Sequence, residues 1–125
     1  NICTNSGLCA LAFSIHLTLL GGEGLASMAK LSHAAARKTA TRLAAVPGVT
    51  VVNRHYFNEF TVTLPHDARQ IVRELADRQV LGGVSLGRLY PQESALANGL
   101  VIATSECTTD DDIAAFAATL EEVLA

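Results

Sequence analysis

At 125 residues, half of them apolar, the chain is long enough for one hydrophobic core and for little more. That apolar share excludes disorder, and a net charge of −3 argues against a nucleic-acid partner, whose phosphates need a basic surface. Cys3, Cys9 and Cys107 have neither metal-ligand spacing nor an even disulfide framework, so reduced thiols in a cytoplasmic setting are expected and no metal is.

Residues 8–20 are apolar on nearly every face, with Ser14, His16 and Thr18 as interruptions, which predicts a helix sandwiched between other elements. The stretch is shorter than the roughly 20 residues a membrane span needs, so no membrane is expected, and His16 reads as a core histidine. Gly21-Gly22 stops this helix, and Glu23 suits the positive end of the next one. The second helix runs to about Ala45, with Leu25, Ala29, Ser32, Ala36, Ala40 and Leu43 along one face. Lys30, Arg37, Lys38 and Arg42 give it a basic side, most simply a solvated one. Val46-Pro47-Gly48 closes it, because proline cannot continue a helix.

Val49–Val52 is β-branched and Phe60–Leu64 alternates, so the two form an antiparallel pair around the loop Asn53–Phe57. Pro65-His66-Asp67 opens a helix to about Gln79, with Ile71, Val72, Leu75 and Ala76 inward. Gly99–Ala103 reads as a strand buried on both faces. Thr109 and Asp112 have capping-box spacing, and Ile113, Phe116, Ala117, Leu120 and Leu124 form the stripe of a last helix. The predicted fold is α+β: a small antiparallel sheet with helices packed on one face, preceded by a leading helix.

The least regular stretch is Leu81–Pro91. Gly82, Gly83 and Gly87 give backbone freedom, Arg88 and Tyr90 follow with a fixed cation and an aromatic hydroxyl, and Pro91 fixes the exit. Such a segment either braces two packed bodies or lines a site, and bracing is the reading its chemistry favours. Arg88 is expected to pair with Glu59, Glu93 or Glu106, with Tyr90 packed beside it. Asn58 is expected to tie down the Arg54–Phe57 loop, and Glu59 stands at a strand edge where nothing marks it as catalytic. Lys30 and Lys38 are the only lysines, and solvated helix positions do not make a covalent cofactor anchor. No catalytic residue is assigned.

Four motifs then occur in a telling order: Asn1-Ile2-Cys3-Thr4-Asn5 before a small-residue helix, Phe57-Asn58-Glu59-Phe60, Gly82 to Pro91 (GGVSLGRLYP), and Ser105-Glu106 followed by Thr109. Together they resemble the C-terminal region of the glycine dehydrogenase (decarboxylating) subunit 1 family, the α subunits of the glycine cleavage system P-protein. The resemblance spans essentially the whole chain. It implies the small C-terminal domain of an aspartate-aminotransferase-like, fold-type I pyridoxal-phosphate enzyme. Residues 1–21 would end the large domain and form the connecting helix, and 22–125 would be the small domain. The implied parent is a cytoplasmic heterotetramer that decarboxylates glycine with pyridoxal 5'-phosphate and passes the aminomethyl group to the lipoyl arm of the H-protein.

In that scheme the cofactor-bearing lysine belongs to glycine dehydrogenase subunit 2, and no cofactor is covalently bound here. Thr4 or Asn5 would reach the partner's cofactor phosphate. Asn58, Glu59, Gly82, Gly83, Gly87, Arg88, Tyr90 and Glu106 would lie at an interface or just behind the active site. The basic side of the second helix could alternatively dock an acidic H-protein. Many aminotransferase-like relatives carry a substrate-binding arginine at a position that falls near Val101 here, so this chain is not expected to grip a substrate carboxylate in that way. With no starting methionine, the chain is read as a C-terminal piece of a larger protein. A stand-alone α/β ligand-binding or regulatory module is the alternative.

Overall fold

The computed structural model describes residues 6–125. Helix α1 (Gly7–Ala44) breaks at Gly21, whose φ of 63° and ψ of −177° lie where glycine alone sits without strain. The two helices expected around Gly21-Gly22 are therefore present, joined end to end. After the break, α1 buries Ser32, Ala35, Ala36, Thr39, Ala40 and Leu43, small side chains that let the helix lie close to its neighbours. Leu25, expected on the same face, is 44% exposed, because burial begins about two turns further along the helix.

Before the break the expectation fails. Leu8 and Leu19 are each 81% exposed, and Leu11, Phe13, Ile15 and His16 are exposed as well. Nothing else in the described chain sandwiches residues 8–20, and His16 is not a core histidine. By length and composition alone α1 is long and apolar enough to cross a membrane. The break, however, limits its uninterrupted apolar part to roughly 21 Å of helix, short of the ~30 Å hydrocarbon layer.

The sheet is antiparallel throughout, in the order β1-β2-β4-β3, with β1 at Thr50–Val51, β2 at Glu59–Thr63, β3 at Val84–Ser85 and β4 at Gly99–Ala103. The β1–β2 pair matches the expected hairpin. Strand β3 was not legible as a strand, being two residues long and drawn from the glycine-rich stretch. Alternation sets Phe60 opposite Ile102 and Val62 opposite Leu100, all four buried toward the helices. The other face carries Glu59, Thr61, Thr63, Val101 and Ala103, which are exposed or half-buried. β4 is thus buried on one face only, not on two, since the helices pack on a single side of the sheet.

Helix α2 (Ala68–Asp77) starts at Asp67, whose carboxylate accepts the Arg69 N–H at 2.7 Å. Ala68, Ile71 and Leu75 are buried and Val72 is half-buried. Ala76 faces solvent, against expectation, because it lies about 100° round the helix from Leu75. A one-turn helix α3 (Leu86–Leu89) and a 3-10 turn at Ser94–Leu96 lead into β4. Helix α4 (Asp110–Leu124) opens with the predicted capping box and buries Ile113, Phe116, Ala117 and Leu120. Leu43, Val62, Leu75, Leu100 and Leu120 are wholly enclosed, each contributing about 1.5–3 kcal/mol by leaving water.

Candidate functional site

The glycine-rich stretch lies against the body of the chain more closely than any side chain would allow. Gly83 has a φ of 138°, and a Cβ there would fall onto the Val101 carbonyl oxygen. A Cβ on Gly82 would come within 2.7 Å of Leu75 Cδ1 and 2.8 Å of Phe116 Cε2. The stretch is a brace within its own chain, joining β4 to α2 and α4.

This close approach forms one wall of a cleft of about 590 Å³. Val84 and Val101, paired across β3 and β4, belong to its lining, and Thr104, Ser105 and Cys107 come from the turn that follows β4. Hydrogen bonds fix that turn. Thr104, buried, donates its N–H to Asn58 O at 2.9 Å and its hydroxyl to Ser32 O at 3.0 Å, while Asn58 Nδ2 donates to Thr104 O at 3.0 Å. Ser105 N–H donates to Thr108 Oγ1 at 3.1 Å, and Cys107 N–H to Ser105 Oγ at 3.2 Å. At the head of α4, Thr109 Oγ1 donates to Asp112 Oδ2 at 2.6 Å and Thr109 N–H to the same oxygen at 2.9 Å. The hydroxyl first, and the backbone N–H second, hold the Asp112 carboxyl below its usual range.

Of the residues singled out from sequence, Glu59, Gly82 and Gly83 line the cleft together. Glu106 is exposed on the adjoining turn, with Cys107 Sγ 3.8 Å from its Oε1. Asn58 sits behind, clamping the end of β4. It does not tie down the Arg54–Phe57 loop. That loop is held by Asn53 Oδ1, which accepts Thr61 N–H at 2.7 Å, and by His33, whose Nδ1 donates to Phe57 O at 2.7 Å with the rings stacked. Gly87 is buried in α3, while Arg88 and Tyr90 point to solvent, Tyr90 being 53% exposed.

The expected pairing of Arg88 with Glu59, Glu93 or Glu106 is not made. Among the described residues the ion pairs are Lys38–Asp110, Arg69–Asp67 and Arg78–Glu122. One turn of helix cannot bury Gly87 and its neighbour Arg88 on the same side. Thr4 and Asn5 lie outside the described residues. Thr104 and Ser105 belong to the Thr104-Ser105-Glu106 cluster that stands out in the sequence at the end of β4, and both line the cleft; Cys107 carries no signal beyond its place just before a strong helix cap.

The lining holds no lysine or arginine, and its charged groups are the carboxylates of Glu59 and Asp112. A phosphate or a substrate carboxylate would meet like charge there. Lys38 is tied to Asp110 and Lys30 stands exposed on α1, so neither enters the cleft. The described residues therefore do not by themselves fit pyridoxal phosphate. No group of three or more His, Cys, Asp or Glu among them could hold a metal. What the cleft offers is shape, apolar surface and backbone.

The fold is that of the small domain of fold-type I pyridoxal-phosphate enzymes. A NifS-like protein from Rickettsia africae superposes on 81% of this chain and 30% of its own, with a TM-score of 0.64 at 21% identity, a likeness of fold alone. The crystal structure of a glycine decarboxylase (P-protein) of the glycine cleavage system, in inhibitor-bound form, covers 99% of this chain and 28% of its own, with a TM-score of 0.87 at 36% identity. The family described as "Glycine cleavage system P-protein" matches residues 1–120, and the chain belongs to it. The probable glycine dehydrogenase (decarboxylating) subunit 1 of Novosphingobium aromaticivorans is 80% identical over all 125 residues. The chain spans 28% of that relative's length.

Proposed function

We propose that this chain is the C-terminal region of a glycine cleavage system P-protein subunit 1. The parent complex, in the cytoplasm, would decarboxylate glycine with pyridoxal phosphate and hand the aminomethyl group to the lipoyl arm of the H-protein. The observation that carries the reading is 80% identity over the full chain to a probable subunit 1. Residues 1–21 would close the large domain and 22–125 would form the small one, a division to which the Gly21 break lends support.

Within that complex the role proposed here is structural. A cleft without cations and with Val101 on its open face suits packing against another body better than holding a substrate carboxylate. The lysine that carries the cofactor would then belong to subunit 2, with Thr4 or Asn5 reaching its phosphate. Glu59, Glu106, Arg88 and Tyr90 would face the neighbouring body, with Gly82, Gly83, Gly87 and Asn58 supporting them from behind. The exposed apolar side chains of residues 8–20 weigh against a stand-alone module.

Co-purification of the full-length subunit with subunit 2, followed by a glycine–bicarbonate exchange assay, tests the proposal. Exchange should require both chains, with pyridoxal absorbance on the partner. Full-rate exchange by subunit 2 alone would overturn it.

A further inference from the structure

Strand β4 has an unpaired stretch on the edge that faces the cleft. The Thr104 N–H donates to Asn58 O at 2.9 Å and the Leu64 N–H to Asn98 O at 3.0 Å, so the even-numbered residues of β4 turn their peptide groups toward β2. Val101 and Ala103 turn theirs the other way. Val101 meets Val84 of β3 there, but β3 begins at Val84. Before it the chain runs outside the sheet, where Gly82 closes on Leu75 and Phe116. Ala103 is exposed, and among the described residues no hydrogen bond reaches its N–H or its carbonyl. Since Ala103 lines the cleft of about 590 Å³, this free donor and acceptor open onto space.

The surroundings carry one sign of charge. Glu59 and Asp112 are the charged residues of the lining, and Glu59 forms none of the ion pairs among the described residues. Glu59 pairs with Ala103 across β2 and β4, so a strand added beside Ala103 would lie two strand spacings, about 9.6 Å, from it. The small side chain of Ala103 leaves the way between them open. On the same face Val84, 42% exposed, and half-buried Val101 add apolar surface.

We infer that the cleft takes an extended segment of a partner protein, which adds a strand beside Ala103 and carries an arginine or lysine to Glu59. A residue opposite Ala103 in the antiparallel sense accepts its N–H and donates to its carbonyl. That residue's side chain shares the open face, and a long basic one spans Ala103 to reach the carboxylate. A helix is the poorer occupant, because its peptide groups are already bonded within it. A nucleic-acid strand or an acidic segment would meet Glu59 and Asp112. The inference rests on the reading of the cleft as a packing surface, and adds the manner of packing.

The test is amide hydrogen exchange and fluorescence anisotropy on the full-length subunit, with a labelled peptide of about six residues in which valine and threonine alternate around a central arginine. The peptide should slow exchange of the Ala103 amide about tenfold or more. N-methylation of the arginine, whose N–H the Ala103 carbonyl accepts, should weaken binding about tenfold, whereas N-methylation of the next residue, whose N–H points away, should leave it within about twofold. Glu59→Gln should weaken the arginine peptide about threefold and leave a peptide with leucine in that place unchanged. Equal effects of the two methylations, or equal binding of a peptide with glutamate in place of arginine, overturn the inference. So does an Ala103 amide already protected in the subunit alone, since its own chain or a second copy then fills the gap. Glycine–bicarbonate exchange that needs both chains, alongside an Ala103 amide that no peptide protects, would defeat the inference and leave the proposed function standing.

Discussion

Replacing Gly83 by alanine tests the account of the brace most directly. The native φ of 138° is one that L side chains rarely adopt, and holding alanine there costs about 1–3 kcal/mol. The new Cβ would also fall onto the Val101 carbonyl oxygen, which is backbone and cannot turn aside as a side chain would. Val101 is paired with both Thr61 and Val84, so moving it disturbs the ladder on two sides. Each ladder bond lost or bent removes roughly 0.5–1.5 kcal/mol. Together these give a destabilisation of about 3–5 kcal/mol, a large part of the ~5–15 kcal/mol that holds a domain folded.

Urea unfolding followed by far-UV circular dichroism would read this as a drop of about 2 M or more in the midpoint. Gly22→Ala is the matched control. Nothing lies within 4 Å of a Cβ there and its φ is not positive, so alanine should stabilise the helix by about 0.5–1 kcal/mol. The same chemical change thus carries opposite signs at two glycines. A Gly83→Ala midpoint within error of the wild type, or one that rises along with Gly22→Ala, would refute the reasoning.

Gly82→Ala should be milder, about 1–3 kcal/mol by urea titration, because the atoms it meets are ends of the Leu75 and Phe116 side chains. Thr104→Val removes the hydroxyl donated to Ser32 O and should lower stability by about 1–3 kcal/mol; an unchanged midpoint would show that the Thr104 bonds do not hold the turn. Asp112 has a lowered folded-state pKa, so its contribution is complete above its ordinary value of 3.8 and is lost as pH falls through the lower folded value. Asp112→Asn should therefore flatten the loss of stability on acidification below that point, which melting curves across the range would reveal. The chain expressed alone should self-associate through residues 8–20, and Leu8→Lys/Leu19→Lys should shift its size-exclusion peak toward the monomer.

The elements whose signals are local were legible in advance. The Thr109–Asp112 cap, the closing Pro47-Gly48, the alternation of Phe60 to Thr63 and the break at Gly21 each follow from a few neighbouring residues obeying one geometric rule, and all appear where expected. The order of motifs likewise carried the family. Long-range placement was not legible. Charge alone points Arg88 to three glutamates, and whether a cation meets a carboxylate depends on which way a one-turn helix faces. Asn58 reads from sequence as a tie for its neighbouring loop, yet its amide reaches Thr104, 46 positions away.

The glycines of Leu81–Pro91 divide the two kinds of knowledge. Sequence by itself determined that the backbone there could approach something closely, because three residues without side chains in six positions permit it. Only the tertiary structure decided what is approached: the Val101 carbonyl, Leu75 and Phe116, and hence a short fourth strand and a cleft without a cation. The physical reason is that steric freedom is a property of one residue, whereas a contact belongs to two residues that the fold alone brings together.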